Sequence, residues 1–220
     1  GRIYVKLDEG QELTYDNWVN GLRDGHSYCG DGLSHIIDFT INGLEVGEKG
    51  DQDRPSVLAV KKGEKLQITA QAAALLAEEP RDDIRNRPLH QKPYWHVERA
   101  RLGDERRVRV ELVVNGKVEA HADIEAGGDI HDIKFDYTPA QSSWVALRIF
   151  PTCHTNPIFV EVDGQPIRAS KKSAQWCLDA VDVCWNSKKG RIRASEQEAA
   201  KAAYDHAREA YRKVLAEAKN

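Results

Sequence analysis

Ser34-His35-Ile36-Ile37-Asp38-Phe39-Thr40-Ile41-Asn42-Gly43 places apolar residues at Ile37, Phe39 and Ile41, every second position, and then turns on Asn-Gly. Period-two alternation puts those three side chains on one face of a strand, and Asn-Gly is the pair that best closes a two-residue hairpin. Further runs of this type are expected at residues 57–60, 66–74, 94–102, 108–114, 117–124, 133–137, 144–150 and 158–162. Asn115-Gly116 and Asp163-Gly164 read as hairpin turns between them. Many short strands punctuated by turns predict a mainly β chain, an immunoglobulin-like or related antiparallel β-sandwich.

Helical signals flank this block. Near the N-terminus a strand at residues 2–7 precedes a short helix capped by Thr14, with Trp18 and Leu22 four apart on its inner face and Gly25 as its stop. At the other end, two helices are expected. Residues 173–185 align Trp176, Ala180, Val181 and Cys184, and a Ser195/Glu198 capping box opens a helix striped with Ala200, Tyr204, Ala207, Tyr211 and Leu215. The glycine-punctuated stretch from Gly25 to Gly32 marks a boundary, which divides the chain into 1–32, a β-sandwich at 33–169, and C-terminal helices at 170–220 packed on the sandwich. In residues 144–150, Val145, Leu147 and Ile149 point one way while Trp144, Ala146 and Phe150 point the other, so that strand is expected to be covered on both faces. Residues 78–93 carry three prolines and mixed charges and read as a long surface excursion.

The totals narrow the function classes. The chain has 220 residues, 40% hydrophobic and 30% charged, the composition of a soluble globular protein, and no apolar run long enough for a membrane span. A net charge of −3, with acids and bases interspersed, argues against nucleic acid as a partner. Four cysteines, at 29, 153, 177 and 184, form no CxxC pair and read as free thiols.

Candidate site residues lie in the connections. Cys153-His154 would suit thiol chemistry, but neighbours on an extended chain point to opposite sides, and no third orienting group is evident. Histidines 26, 35, 96, 131 and 154 lack the HxH or HExxH spacing that announces a metal set, so no metal ligand and no cofactor is assigned within this chain. Tyr94-Trp95-His96 resembles a sugar-binding platform in composition, although Trp95 and Val97 alternate as a core pair would. A docking or binding role falls on His26, Tyr28, Asp31, His96, His154 and Asn156, polar residues of the connections.

Two stretches carry a family resemblance. Trp18-Val19-Asn20-Gly21-Leu22-Arg23-Asp24-Gly25-His26-Ser27-Tyr28, running on to Gly30-Asp31-Gly32, and Ser142-Ser143-Trp144-Val145-Ala146-Leu147-Arg148 with His154-Thr155-Asn156-Pro157-Ile158 resemble the C-terminal region of the CehA/McbA-like (carbaryl-hydrolase-like) branch of the polymerase-and-histidinol-phosphatase (PHP) metallohydrolases. That resemblance implies a noncatalytic accessory module. It would shape or dock on an upstream catalytic domain of the same polypeptide, where the HxH motif and a divalent metal would reside, with the small-molecule substrate unspecified. A freestanding module binding carbohydrate or another cell-surface ligand is the alternative.

Overall fold

The computed structural model describes residues 1–219, which divide into a unit of Gly1–Gln165 and a second unit beginning at Pro166. The strands are β1 (Arg2–Val5), β2 (Ser27–Gly30), β3 (Ser34–Ile41), β4 (Leu44–Glu45), β5 (Val57–Val60), β6 (Leu66–Leu75), β7 (Arg107–Val114), β8 (Lys117–Glu125), β9 (Gly127–Tyr137), β10 (Ser143–Ile149), β11 (Cys153–Thr155) and β12 (Ile158–Val162). The helices are α1 (Tyr15–Asp24), α2 (Asp82–Arg85), α3 (Lys171–Lys188) and α4 (Gln197–Glu217). None of the described helices is long and apolar enough to cross a membrane.

The strands form two sheets in a sandwich-like arrangement. One runs β4-β3-β6-β9, all antiparallel. The other has eight strands organised around β10, which pairs β7 along one edge and β12 and β11 along the other. β8 extends it beyond β7, β2 and β1 extend it beyond β11, and β5 joins β12 as the parallel pair. Phe39, Ile41, Leu66 and Ile68 of the smaller sheet share one core with Val110, Leu112, Leu147 and Ile158 of the larger.

In β3 the alternation is broken. Ile36, Phe39 and Ile41 are the buried set, and Ile37 is not among them. The register with β6 slips between Ile37 and Thr40, and Asp38 adopts φ 52. A bulge adds one residue and so reverses the facing of everything upstream of it. The turns at Asn42-Gly43 and Asn115-Gly116 do form two-residue hairpins with positive φ at both positions. Asp163-Gly164 turns as well, but among the described residues no strand pairs back on β12 beyond it.

Two regions depart from the sequence reading. Residues 94–102 form a 3-10 turn at Val97–Ala100 rather than a strand, because Glu98 and Arg101, three apart, clasp one another and need helical spacing to do so. The boundary expected at Gly32 does not appear, since β1 and β2 are built into the larger sheet. The glycines there flank a short strand instead of separating units.

In the second unit α3 is capped by Ser170, whose hydroxyl accepts from the Ser173 amide at 3.1 Å. α4 begins without its expected capping box: Ser195 lies inside a 3-10 turn, Ala194–Glu196, so its backbone is already helical where a cap should be extended. Arg208 of α4 pairs with Asp182 of α3 at 2.8 Å, and the Trp185 and Tyr204 rings meet at 5.1 Å.

Candidate functional site

The end of β1, the segment entering β2 and the β3–β4 hairpin enclose a cleft of about 350 Å³, walled by Val5, Ile37, Phe39 and Val46. A second, polar groove of about 520 Å³ lies against α1, and Lys6 and His26 line both. Lys6 Nζ sits 2.8 Å from Asp38 Oδ1 and 2.6 Å from Glu45 Oε1. Partial burial pulls its pKa down, but the hydrogen bonds and charges of the two carboxylates outweigh this and raise it.

His26 stands at the junction. Its backbone is fixed twice, donating to Gly21 O at 2.8 Å and accepting from the Lys6 amide at 3.0 Å. The side chain is 11% exposed, with Nδ1 4.0 Å from Asp8 Oδ1 and Nε2 3.6 Å from Glu45 Oε1. Nε2 is buried and has no hydrogen-bond partner among the described residues. Behind it Gly47 adopts φ +92, and a Cβ there would lie 2.5 Å from His26 Cα. Gly47→Ala is therefore expected to destabilise the larger unit by about 1–3 kcal/mol of backbone strain, with the clash adding to that, measured by urea denaturation. An unchanged midpoint would mean that the contact yields freely.

Tyr28 shares the apolar cleft. Its hydroxyl is 2.8 Å from His35 Nδ1, and its ring stacks on Tyr4 at a centroid distance of 4.9 Å. Burial, with the neighbouring Cys153 and Tyr4, pushes the phenol up to about 12, which keeps it protonated at neutral pH.

The other residues singled out from sequence lie elsewhere. Asp31 Oδ1 accepts from Leu33 N, Ser34 N and Ser34 Oγ at 2.8–2.9 Å, while Oδ2 accepts from Val97 N at 2.7 Å. His96 Nδ1 accepts from Glu98 N at 3.1 Å and caps the 3-10 turn. Asn156 donates to Gly25 O at 3.0 Å and Ser27 Oγ at 2.9 Å, which ties the end of β11 to the entrance of β2. His154 is exposed on β11, where it lines a different cleft, of about 430 Å³, with Asn156, Trp144 and Phe150.

Cys153 points into the core, and burial, with the charge of Asp31, pushes its thiol up to about 12. Strand alternation places His154 on the opposite face, so the two do not form a thiolate–imidazole pair. Among the described residues no group of three or more His, Cys, Asp and Glu side chains is placed to hold a metal ion.

No protein-family description matches this chain, and no curated protein does.

Lys6, Asp38 and Glu45 are not among the residues that the sequence singles out. The signal for Glu45 was present: the Asn42-Gly43 hairpin fixes it opposite Thr40, beside the bulge at Asp38.

Proposed function

We propose that the chain is a noncatalytic accessory β-sandwich module of a metal-dependent, PHP-type hydrolase, docking on a catalytic domain of the same polypeptide. The observation that carries this reading is α1. Its segment bears Leu13, Tyr15, Trp18, Val19 and Leu22; Trp18 and Val19 are half-buried, whereas Leu13, Tyr15 and Leu22 are exposed, Leu13 and Tyr15 to 82% and 79%. Helices whose apolar side chains stay uncovered mark surfaces that another body completes. The resemblance to CehA/McbA-like proteins includes this helix and the strand that follows it. Under this reading the docking face comprises α1, His26 and Tyr28, and the divalent metal belongs to the partner domain rather than to any residue here.

The test is made in the polypeptide that carries a hydrolase domain ahead of Gly1. Tyr15→Ser combined with Leu22→Ser should lower hydrolysis by about tenfold or more, equivalent to about 1.4 kcal/mol of lost positioning, while the module keeps its melting temperature. Full activity in the double variant would remove the docking role of α1, and a reading frame without an HxH-containing domain would remove the accessory reading.

The alternative, a freestanding module for carbohydrate or another cell-surface ligand, draws on the Tyr94–Trp95 pair. Both rings are exposed, and they meet edge to face at 6.3 Å. Saccharides stack on such faces. Saturable quenching of tryptophan fluorescence by an oligosaccharide, abolished in Trp95→Ala, would favour it.

A further inference from the structure

The second unit holds a hairpin of two antiparallel helices, and one face of that hairpin carries no charge. On α3 the face is formed by Trp176, Ala180, Val183 and Cys184, at helical spacing. On α4 it is formed by Ala203, Ala207, Ala210 and Val214. Between the two helices runs a groove of about 430 Å³, lined by Ala180, Ala203, Ala207 and Tyr211 with Trp176 beside them. Two helices alone enclose little: Trp176 is 70% exposed and Val183 69%, α3 buries only Ala174, and α4 buries no residue. We propose that this face joins two copies of the chain, their hairpins forming an antiparallel four-helix bundle about a twofold axis.

Shape and charge both select a second copy. Asp182 stands against Arg208 and Trp185 against Tyr204, which fixes the level of each residue along the hairpin. A twofold axis parallel to the helices lays α3 of one copy over α4 of the other and preserves those levels. Trp176 then falls level with Ala210 and Val214 of the other copy, a large side chain over a shallow floor, and the symmetry repeats the contact. The rims match as well. At 3.6 residues per turn, Lys172 and Asp179 run along the outer edge of α3, and Glu217 and Lys213 along the outer edge of α4. The same alignment brings Lys172 to Glu217 of the other copy and Asp179 to Lys213 of the other copy, opposite charges at both steps. Within its own copy Glu217 accepts from Arg168 at 2.7 Å, and Asp179 accepts from the uncharged Gln175 amide at 2.7 Å.

The face is large enough. α3 and α4 have 18 and 21 residues. At about 1.5 Å per residue and about 10 Å per helix, the face measures about 25–30 Å by about 20 Å, or about 500–600 Å² per copy. The two copies together cover about 1,000–1,200 Å², the lower bound of a specific interface, which corresponds to a weak and reversible dimer. This inference does not rest on the accessory reading, which concerns α1.

Sedimentation equilibrium of the full chain from about 1 μM to about 1 mM tests it, and the chain should pass reversibly from monomer to dimer across that range. Trp176→Glu, at an exposed position, should weaken the dimer by about tenfold or more while helix content stays unchanged. Asp179→Lys, measured at low salt, should weaken it by about threefold or more, and adding Lys213→Asp should restore it, since only residues that face one another across the interface can rescue each other. A chain that stays monomeric to about 1 mM, which would leave the face to a helix of another protein, overturns the proposal. So does a dimer indifferent to Trp176→Glu, or a double swap no tighter than Asp179→Lys alone. Should Trp176→Glu unfold the hairpin, the charge swap at the exposed rim decides alone.

Discussion

Replacing Arg101 by Met should cost the larger unit about 3–5 kcal/mol, the scale seen when one partner of a buried ion pair is removed. The Arg101 side chain is 0% exposed and that of Glu98 2%. Nε and Nη2 bind the two carboxylate oxygens at 2.6 and 3.0 Å, and Nη2 also reaches Ala77 O at 2.7 Å. The same carboxylate accepts from the Arg81 amide at 2.8 Å. One guanidinium thus joins the end of β6 to the 3-10 turn across the base of the excursion at residues 78–93. Its removal strands a buried charge as well as several hydrogen bonds.

The pair also fixes the sign of the pH dependence. Burial pushes the Glu98 carboxyl up, but Arg101 and the Arg81 amide outweigh it and hold the group below its ordinary 4.5. A carboxyl whose folded pKa is depressed contributes stability above the unfolded value and loses it as pH falls through the folded one. The natural chain should therefore weaken as it is acidified below about pH 4.5. In Arg101→Met the carboxyl is left buried without its cation, so acidification should relieve part of the damage. Urea denaturation at neutral and acid pH measures both. A variant within about 1 kcal/mol of the parent at neutral pH would show that the pair is not needed.

How much of this was legible beforehand depends on the range of the interaction. The hairpins at Asn42-Gly43 and Asn115-Gly116 are written in adjacent residues and are legible directly. The span of β12 is legible in its alternation. The bulge at Asp38 was not legible, because it answers the pairing of β3 with β6, about thirty residues on, and no local residue announces it. The turn at Val97–Ala100 was masked by the strand-like Tyr94-Trp95-His96-Val97, and the clasp of Glu98 by Arg101 overrode that propensity. The site followed the same rule. His26 and Tyr28 stood out as polar residues of a connection, whereas Lys6 meets Asp38 and Glu45 across separations of 32 and 39 residues. Only the tertiary fold brings those together.

Asp31 separates a structural role from a docking role most sharply. In sequence it is a polar residue between two glycines; in the fold its four accepted hydrogen bonds tie the β2–β3 connection to the start of the 3-10 turn. Asp31→Ala should lower the stability of the isolated chain by about 2–4 kcal/mol, since hydrogen bonds to a charged group are worth about 1.5–3 kcal/mol each and are not additive within one cluster. Asp31→Asn should be milder and more selective. Its Oδ1 can still accept from Leu33, Ser34 and the serine hydroxyl, but the amide group that replaces Oδ2 cannot accept from Val97 N. Hydrogen exchange reads this directly: in the Asn variant the Val97 amide should lose protection while the Ser34 amide keeps it, and in the Ala variant both should exchange faster. If Asp31 served only a partner surface, neither substitution would move the melting temperature or the exchange of the isolated chain. Full protection of the Val97 amide in the Asn variant would show that Oδ2 contributes nothing to anchoring the turn.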